Sequence, residues 1–191
     1  SRINVNSSNG SVYGYMLGHL INIDQANGTD SNSFVAGRQI TINNTCATRS
    51  LNTLMTAMGS TFTNVSGSMS PIYGYNINAC HTDIYSSPML GTYISTCLTS
   101  AQGTPLIGGS ITLCGTTANY SPVMGQAITL SNAQIDGTPI IGRGINFSGS
   151  NNRAQQSTIL GTNLGLSGSR VNETTFLGTC SSFNSANITS S

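Results

Sequence analysis

Pro71-Ile72-Tyr73-Gly74, Pro88-Met89-Leu90-Gly91, Pro105-Leu106-Ile107-Gly108, Pro122-Val123-Met124-Gly125 and Pro139-Ile140-Ile141-Gly142 state one phrase, their glycines 17 residues apart four times running. A beat of that length without drift is the signature of a stacked repeat, in which each coil buries its apolar face only against its neighbours. The same glycine recurs at Gly18, Gly37 and Gly59 upstream and at Gly161 and Gly178 downstream. The ten are spaced 19, 22, 15, 17, 17, 17, 17, 19 and 17. The chain reads as a single domain over residues 1–191, with irregular coils over 1–70, regular coils over 71–157 and C-terminal coils over 158–191.

Aligned on these glycines, the side chains fall into columns. Three residues on stand Ile21, Ile40, Phe62, Ile77, Ile94, Ile111, Ile128, Ile145 and Leu164, and two further on stand Ile23, Ile42, Leu113, Leu130, Phe147 and Leu166. Between them lie Asn22, Thr41, Thr63, Asn78, Ser95, Thr112, Thr129 and Asn146. Apolar, polar, apolar is the period of a strand with two side chains inward and one outward. Ten residues after the glycine, Ile84, Ala101, Ala118, Ile135, Val171 and Ile188 form a further inward column, and the apolar pair before each glycine marks another strand edge. The expected fold is all-β, a three-sided parallel β-solenoid of about ten 17-residue coils. Gly is expected to supply positive φ at the corners and Pro to open a strand. A β-sandwich also has short strands between turns, but its strands do not repeat the same residue type in fixed register.

Hydrophobic residues make up 37% of the chain and charged residues 6%, with a net charge of +1. Disordered chains carry high net charge and lack apolar periodicity, so this composition points to an ordered β protein. There is no Lys, and the Arg residues are scattered from Arg2 to Arg170. They form no basic stripe able to neutralise phosphates, so no nucleic-acid partner is expected. No apolar run approaches the roughly 20 residues that span a bilayer, so no membrane insertion is expected. Near-absence of Lys and Glu in so polar a chain favours an extracellular, virion or cell surface. Candidate glycosylation sequons at Asn6, Asn9, Asn27, Asn43, Asn64, Asn119, Asn146, Asn172 and Asn187 lean the same way. Ser1 and Ser191 both fall in mid-repeat, which reads as a piece of a longer rod or a subunit that stacks end to end.

Cys80, Cys97 and Cys114 share one phase, six residues past their glycines in consecutive coils. They read either as a ladder of small buried side chains or as one disulfide with a thiol left over, since stacking at about 4.8 Å lies inside the disulfide range. Cys46 and Cys180 stand at other phases. His81 follows Cys80 directly, but strand neighbours point to opposite faces, so the two converge only if that corner bends. His19 stands alone. The five acids, Asp24, Asp30, Asp83, Asp136 and Glu173, fall mostly in corners and in different coils and form no catalytic pair. No catalytic, cofactor or metal residues are assigned, and no enzyme activity is expected. Hexapeptide-repeat acyltransferases share the coiled architecture, but their six-residue apolar beat is incomplete here.

Two surface features remain. The column Thr41, Thr63, Asn78, Ser95, Thr112, Thr129 and Asn146 faces outward, and ordered hydroxyls on a solenoid raise ice binding as the alternative function. The pair before each glycine cannot put both side chains inward if it is extended, so Tyr73, Leu90, Ile107, Met124, Ile141, Leu160 and Leu177 form a candidate assembly stripe, unless a bend at the glycine turns both inward.

The segment Ser31-Asn32-Ser33-Phe34-Val35-Ala36-Gly37, echoed by Ser157-Thr158-Ile159-Leu160-Gly161 and Thr174-Thr175-Phe176-Leu177-Gly178, resembles the head repeats of trimeric autotransporter adhesins and solenoid segments of phage and large-virus tail fibres. In those repeats a small polar residue, two or three apolar residues and Gly recur per coil. The resemblance implies a rod used for reach, rigidity or adhesion. Its expected partners are copies of itself, as a homo-oligomer or filament, and a cell-surface glycan or receptor.

Overall fold

A computed structural model of the chain describes residues 1–6, 14–24, 31–43, 51–63, 65–68, 71–179, 181–184 and 187–189. It is a parallel β-solenoid without helices among the described residues. In chain order the strands are β1 (Arg2–Asn6), β2 (Gly14–Asp24), β3 (Ser31–Asn43), β4 (Leu51–Thr63), β5 (Ser66–Ser68), β6 (Ile72–Cys80), β7 (Asp83–Tyr85), β8 (Met89–Cys97), β9 (Ser100–Gln102) and β10 (Leu106–Cys114). They continue with β11 (Thr117–Asn119), β12 (Val123–Ser131), β13 (Gln134–Asp136), β14 (Ile140–Ser148), β15 (Arg153–Gln155), β16 (Thr158–Ser167), β17 (Arg170–Asn172), β18 (Thr175–Gly178), β19 (Ser181–Asn184) and β20 (Asn187–Thr189).

The strands form two sheets where three sides are expected. A long-strand sheet runs β1-β2-β3-β4-β6-β8-β10-β12-β14-β16-β18, with β19 also on β16, and a short-strand sheet runs β5-β7-β9-β11-β13-β15-β17-β20. Each regular coil gives one nine-residue and one three-residue strand, and the chain makes about eight turns rather than ten. Two of the expected sides merge because the backbone ladder carries through the glycine corner. Between β10 and β12 it pairs Leu106 to Gly108 with Val123 to Gly125 and Ser110 to Cys114 with Ala127 to Ser131, skipping only Gly109 and Gln126. In the regular coils neither of the two residues after the glycine is buried, and Thr92 and Tyr93 are both exposed, so the strand bends there without ending.

The regular register is the one read from the glycines: Ile77, Ile94, Ile111, Ile128, Ile145 and Leu164 stack directly. Ile3, Asn4 and Val5 pair with Ile21, Asn22 and Ile23, continuing the columns into β1. One coil is displaced by two residues from its expected register. Ala57, not Gly59, lies opposite Gly37 and Gly74, so Ser60 takes the Ile77 place and Phe62 lies opposite Ile42 and Ala79. A two-residue shift preserves the alternation, so Phe62 still points inward and is 2% exposed.

The core is one continuous column. Inward residues of the long strands meet the short-strand centres Ile84, Ala101, Ala118, Ile135, Ala154 and Val171, all buried. In three coils a large residue faces a small one, Ala79 with Ile84, Leu113 with Ala118 and Phe147 with Ala154, whereas Leu130 with Ile135 and Leu166 with Val171 are both large.

The repeat glycine has a different reason from the expected one. Positive φ occurs at Gly103, Gly115, Gly137, Gly149 and Gly168 and at non-glycine residues including His81, Leu98 and Tyr120, not at Gly74, Gly91 or Gly108. Those three lie under the carbonyl of the preceding coil, where a Cβ would come within 2.5–2.7 Å of its oxygen. The demand is close approach. After the left-handed corners, those at Asn132 and Gly149 apart, a Thr or Ser turns inward: Thr99 Oγ1 donates to Cys97 O and to Ala79 O of the preceding coil, at 3.2 and 3.0 Å. The 19-residue spacing from Gly142 to Gly161 is absorbed at one such corner, where Asn152 replaces the hydroxyl, donating to Ser148 O at 2.6 Å and accepting from Ala133 N at 2.8 Å.

Candidate functional site

The apolar pair before the glycine splits across the strand. Ile72, Met89, Leu106, Val123, Ile140 and Ile159 are buried, while their successors Tyr73, Leu90, Ile107, Met124, Ile141 and Leu160 face solvent, with Leu177 continuing the line. Period-two geometry decides this, because the bend lies beyond the glycine and leaves the pair extended. The seven stack in unbroken register. Exposure alternates from 39% at Tyr73 and 42% at Ile141 to half-buried at Leu90 and Met124. Upstream the column passes through Thr56 and Ala36 to exposed Leu17. On one side runs a half-buried column of Pro88, Pro105, Pro122 and Pro139, and on the other a column of Tyr75, Thr92, Gly109, Gln126, Arg143 and Thr162, polar except at Tyr75 and Gly109. The result is an apolar strip bordered on one side by polar groups.

Tyrosines thicken the strip at one corner, a feature that the column alignment misses because they occupy different phases. Tyr75 and Tyr93 meet edge to face, with ring centroids 5.3 Å apart, beside Tyr73 in the same two coils. The Tyr75 hydroxyl is shifted above its usual pKa, chiefly by its hydrogen bond with Tyr93.

The outward polar column holds with one correction. Thr61, not Thr63, lies between Thr41 and Asn78, and Thr63 pairs with Cys80 because Ala57 occupies the glycine place in that coil. Ser95, Thr112, Thr129 and Asn146 follow in register, and Gly165 interrupts the line. At its N-terminal end a hollow of about 500 Å³ opens over this face, lined by Arg2, Asn4, Asn22, Thr41 and Thr61 among others.

Cys80, Cys97 and Cys114 stack in register and are free thiols. They are not a buried ladder: Cys80 and Cys97 are half-buried and Cys114 is exposed, because their phase is outward. Burial nevertheless pushes the Cys97 thiol pKa up, with Cys80 adding to the rise and Cys114 opposing it. The corner after Cys80 does bend. His81 has φ 51°, which brings its Nδ1 to 3.2 Å from Cys80 Sγ. His19 is not isolated either, since Arg38 Nη1 on the next coil donates to its Nε2 at 3.2 Å.

Asp83 and Asp136 lie on β7 and β13, three coils apart. Among the described residues, no three His, Cys, Asp or Glu side chains gather as a metal site. Of the sequons, Asn146 and Asn187 are exposed and Asn43, Asn119 and Asn172 half-buried. Asn9, Asn27, Asn64, Cys46 and Cys180, and the side chain of Asn6, lie outside the described residues. Compared with family models, with curated proteins and with solved structures, the chain matches none.

Proposed function

We propose that the protein is a non-enzymatic, structural or adhesive rod of an extracellular fibre or a virion or cell surface, and that copies associate side by side through the apolar stripe. The observation that carries this reading is the unbroken outward line from Tyr73 to Leu177, in register and bordered on one side by polar residues. Hydrophobic side chains left on a surface in a contiguous line mark an interface, and an apolar strip with a polar rim is the common anatomy of one. A stripe that repeats about every 4.8 Å matches best, coil for coil, another straight rod of the same repeat. Ile107 and Ile141 keep 36% and 42% of their surface exposed, so a partner adds only that share of the roughly 1.5–3 kcal/mol of a full burial, and association draws on the whole length of the stripe. The resemblance to trimeric adhesin heads and tail-fibre solenoids supports the same reading, with a glycan or receptor as the external partner.

Sedimentation and light scattering at micromolar concentration, with electron microscopy, test it. The native chain associates, and Ile107→Arg combined with Ile141→Arg returns it to a folded monomer. A monodisperse native monomer, or association unchanged in the double variant, would sink the reading.

Ice binding is the second reading, supported by the in-register pairs Thr41/Thr61 and Thr112/Thr129 on an outward face. Thermal hysteresis that is abolished by Thr112→Tyr with Thr129→Tyr would favour it over the fibre.

A further inference from the structure

We propose that Cys80, Cys97 and Cys114 are a shared-disulfide ladder, in which Cys97 bridges to one neighbour at a time and the bridge moves between the two positions by thiol–disulfide exchange. The geometry comes from the stack. Cys97 is the register partner of both Cys80 and Cys114. Parallel neighbours lie about 4.8 Å apart, inside the roughly 4.4–6.8 Å that a disulfide spans between Cα atoms. Cys80 and Cys114 are two coils apart, about 9.6 Å, beyond that reach. The ladder is bounded by Thr63 and Ser131 in the adjoining coils, so Cys97 alone has a choice.

The phase also suits exchange. The three sulfurs rise along one outward line at the end of β6, β8 and β10, and exchange passes through a near-linear array of attacking, central and leaving sulfur. Cys114 is exposed and Cys80 half-buried, so a small disulfide in solution can reach them. His81 Nδ1, 3.2 Å from Cys80 Sγ, is placed to take the thiol proton there.

With a low-molecular-weight disulfide such as oxidised glutathione as oxidant, the electrons balance. Cys80 gives its proton to His81 and attacks one glutathione sulfur, breaking that S–S bond and releasing one glutathione thiolate, which is protonated. Cys97 loses its proton to solvent and attacks the Cys80 sulfur of the mixed disulfide. The Cys80–Cys97 bond forms and the second glutathione leaves as thiol. Two protein thiols are oxidised and one disulfide is reduced to two thiols. Attack of deprotonated Cys114 on the Cys97 sulfur then forms Cys97–Cys114 and releases Cys80 as thiolate, with no net redox change.

The full chain, equilibrated with oxidised and reduced glutathione, quenched by alkylation and digested, is read by mass spectrometry. Two isomers are expected, Cys80–Cys97 and Cys97–Cys114, never both in one molecule. Cys114→Ser leaves only the first, Cys80→Ser only the second, and Cys97→Ser neither. After removal of glutathione the isomer ratio drifts to a constant value, and alkylating the free thiol freezes it. Circular dichroism checks that each serine variant keeps the β signature. A Cys80–Cys114 bridge in the native chain, preferential linkage of these cysteines to Cys46 or Cys180, mixed glutathione disulfides alone, or a ratio that never changes would overturn the proposal.

Discussion

A Cβ built on Gly108 would stand 2.5 Å from the carbonyl oxygen of Gly91 in the preceding coil. The obstacle is backbone already held in the ladder, so it cannot swing aside as a flexible side chain would. Gly108→Ala is therefore expected to destabilise the rod by about 1–3 kcal/mol, the usual cost of overpacking. Gly59→Ala is the matched control, because a Cβ there meets nothing within 4 Å. Denaturant unfolding should separate the two variants clearly, with the control within about 0.5 kcal/mol of the native chain.

A second prediction concerns hydroxyls that face inward. Thr138 Oγ1 donates to Ala118 O and Asp136 O, each at 3.0 Å, and accepts from Ser121 N at 3.2 Å. It therefore ties consecutive coils at a position where an aliphatic side chain would fit equally well. Thr138→Val keeps the volume but removes both donor and acceptor, and the lost bonds should cost about 1–3 kcal/mol. Thr162 supplies the contrast: its exposed hydroxyl donates to Arg143 O at 2.7 Å, and Thr162→Val should change stability by less than about 0.5 kcal/mol.

How far these features were legible follows from what repeats. Ile77, Ile94 and Ile111 recur at one phase, and a fixed phase needs no side-chain geometry to be read as a stacked column. The outward turn of Tyr73 and Ile107 was written in the same alternation, though choosing between an extended and a bent pair required the position of the corner. The inward hydroxyl was readable in principle, since Ser87, Thr104, Ser121 and Thr138 each precede the repeat Pro. It was missed because Ser and Thr in so polar a chain look like surface. The meaning of Gly108 was not readable. A glycine required by a neighbouring carbonyl and one required by positive φ are the same letter, and only the distance to Gly91 O tells them apart. The displaced coil at Ala57 was hidden for a similar reason: Ala can occupy the place of Gly, and Gly59 two residues on offered a false anchor.

Left-handed corners held by side-chain-bearing residues give a gain of stability. Leu98 has φ 49° and is 56% exposed, so it bears the strain of that conformation with little burial in return. The equivalent corner one coil on is filled by Gly115, at φ 57°. For an L-residue the left-handed region costs about 1–2 kcal/mol, part of which is offset by the greater unfolded-state entropy that Gly brings. Leu98→Gly should raise stability by about 0.5–1 kcal/mol, and a higher denaturant midpoint at unchanged slope would verify it.

Thiol chemistry separates the three stacked cysteines by rate. The Cys97 pKa is raised, first by burial and then by the neighbouring Cys80 thiol, so at a given pH it holds less thiolate than an ordinary cysteine. Only the thiolate reacts with iodoacetamide, and a raised pKa moves the rise of the rate to higher pH. Cys114, exposed at the same phase, offers the reagent free access. Timed alkylation of the reduced chain at pH near 8 should label Cys114 first, by its exposure, and Cys97 last, the gap narrowing as pH rises and Cys97 gives up its proton. If Cys97 were labelled as fast as Cys114 at every pH, the neighbours would not be holding its proton, and the difference assigned to its place in the middle of the stack would have no basis.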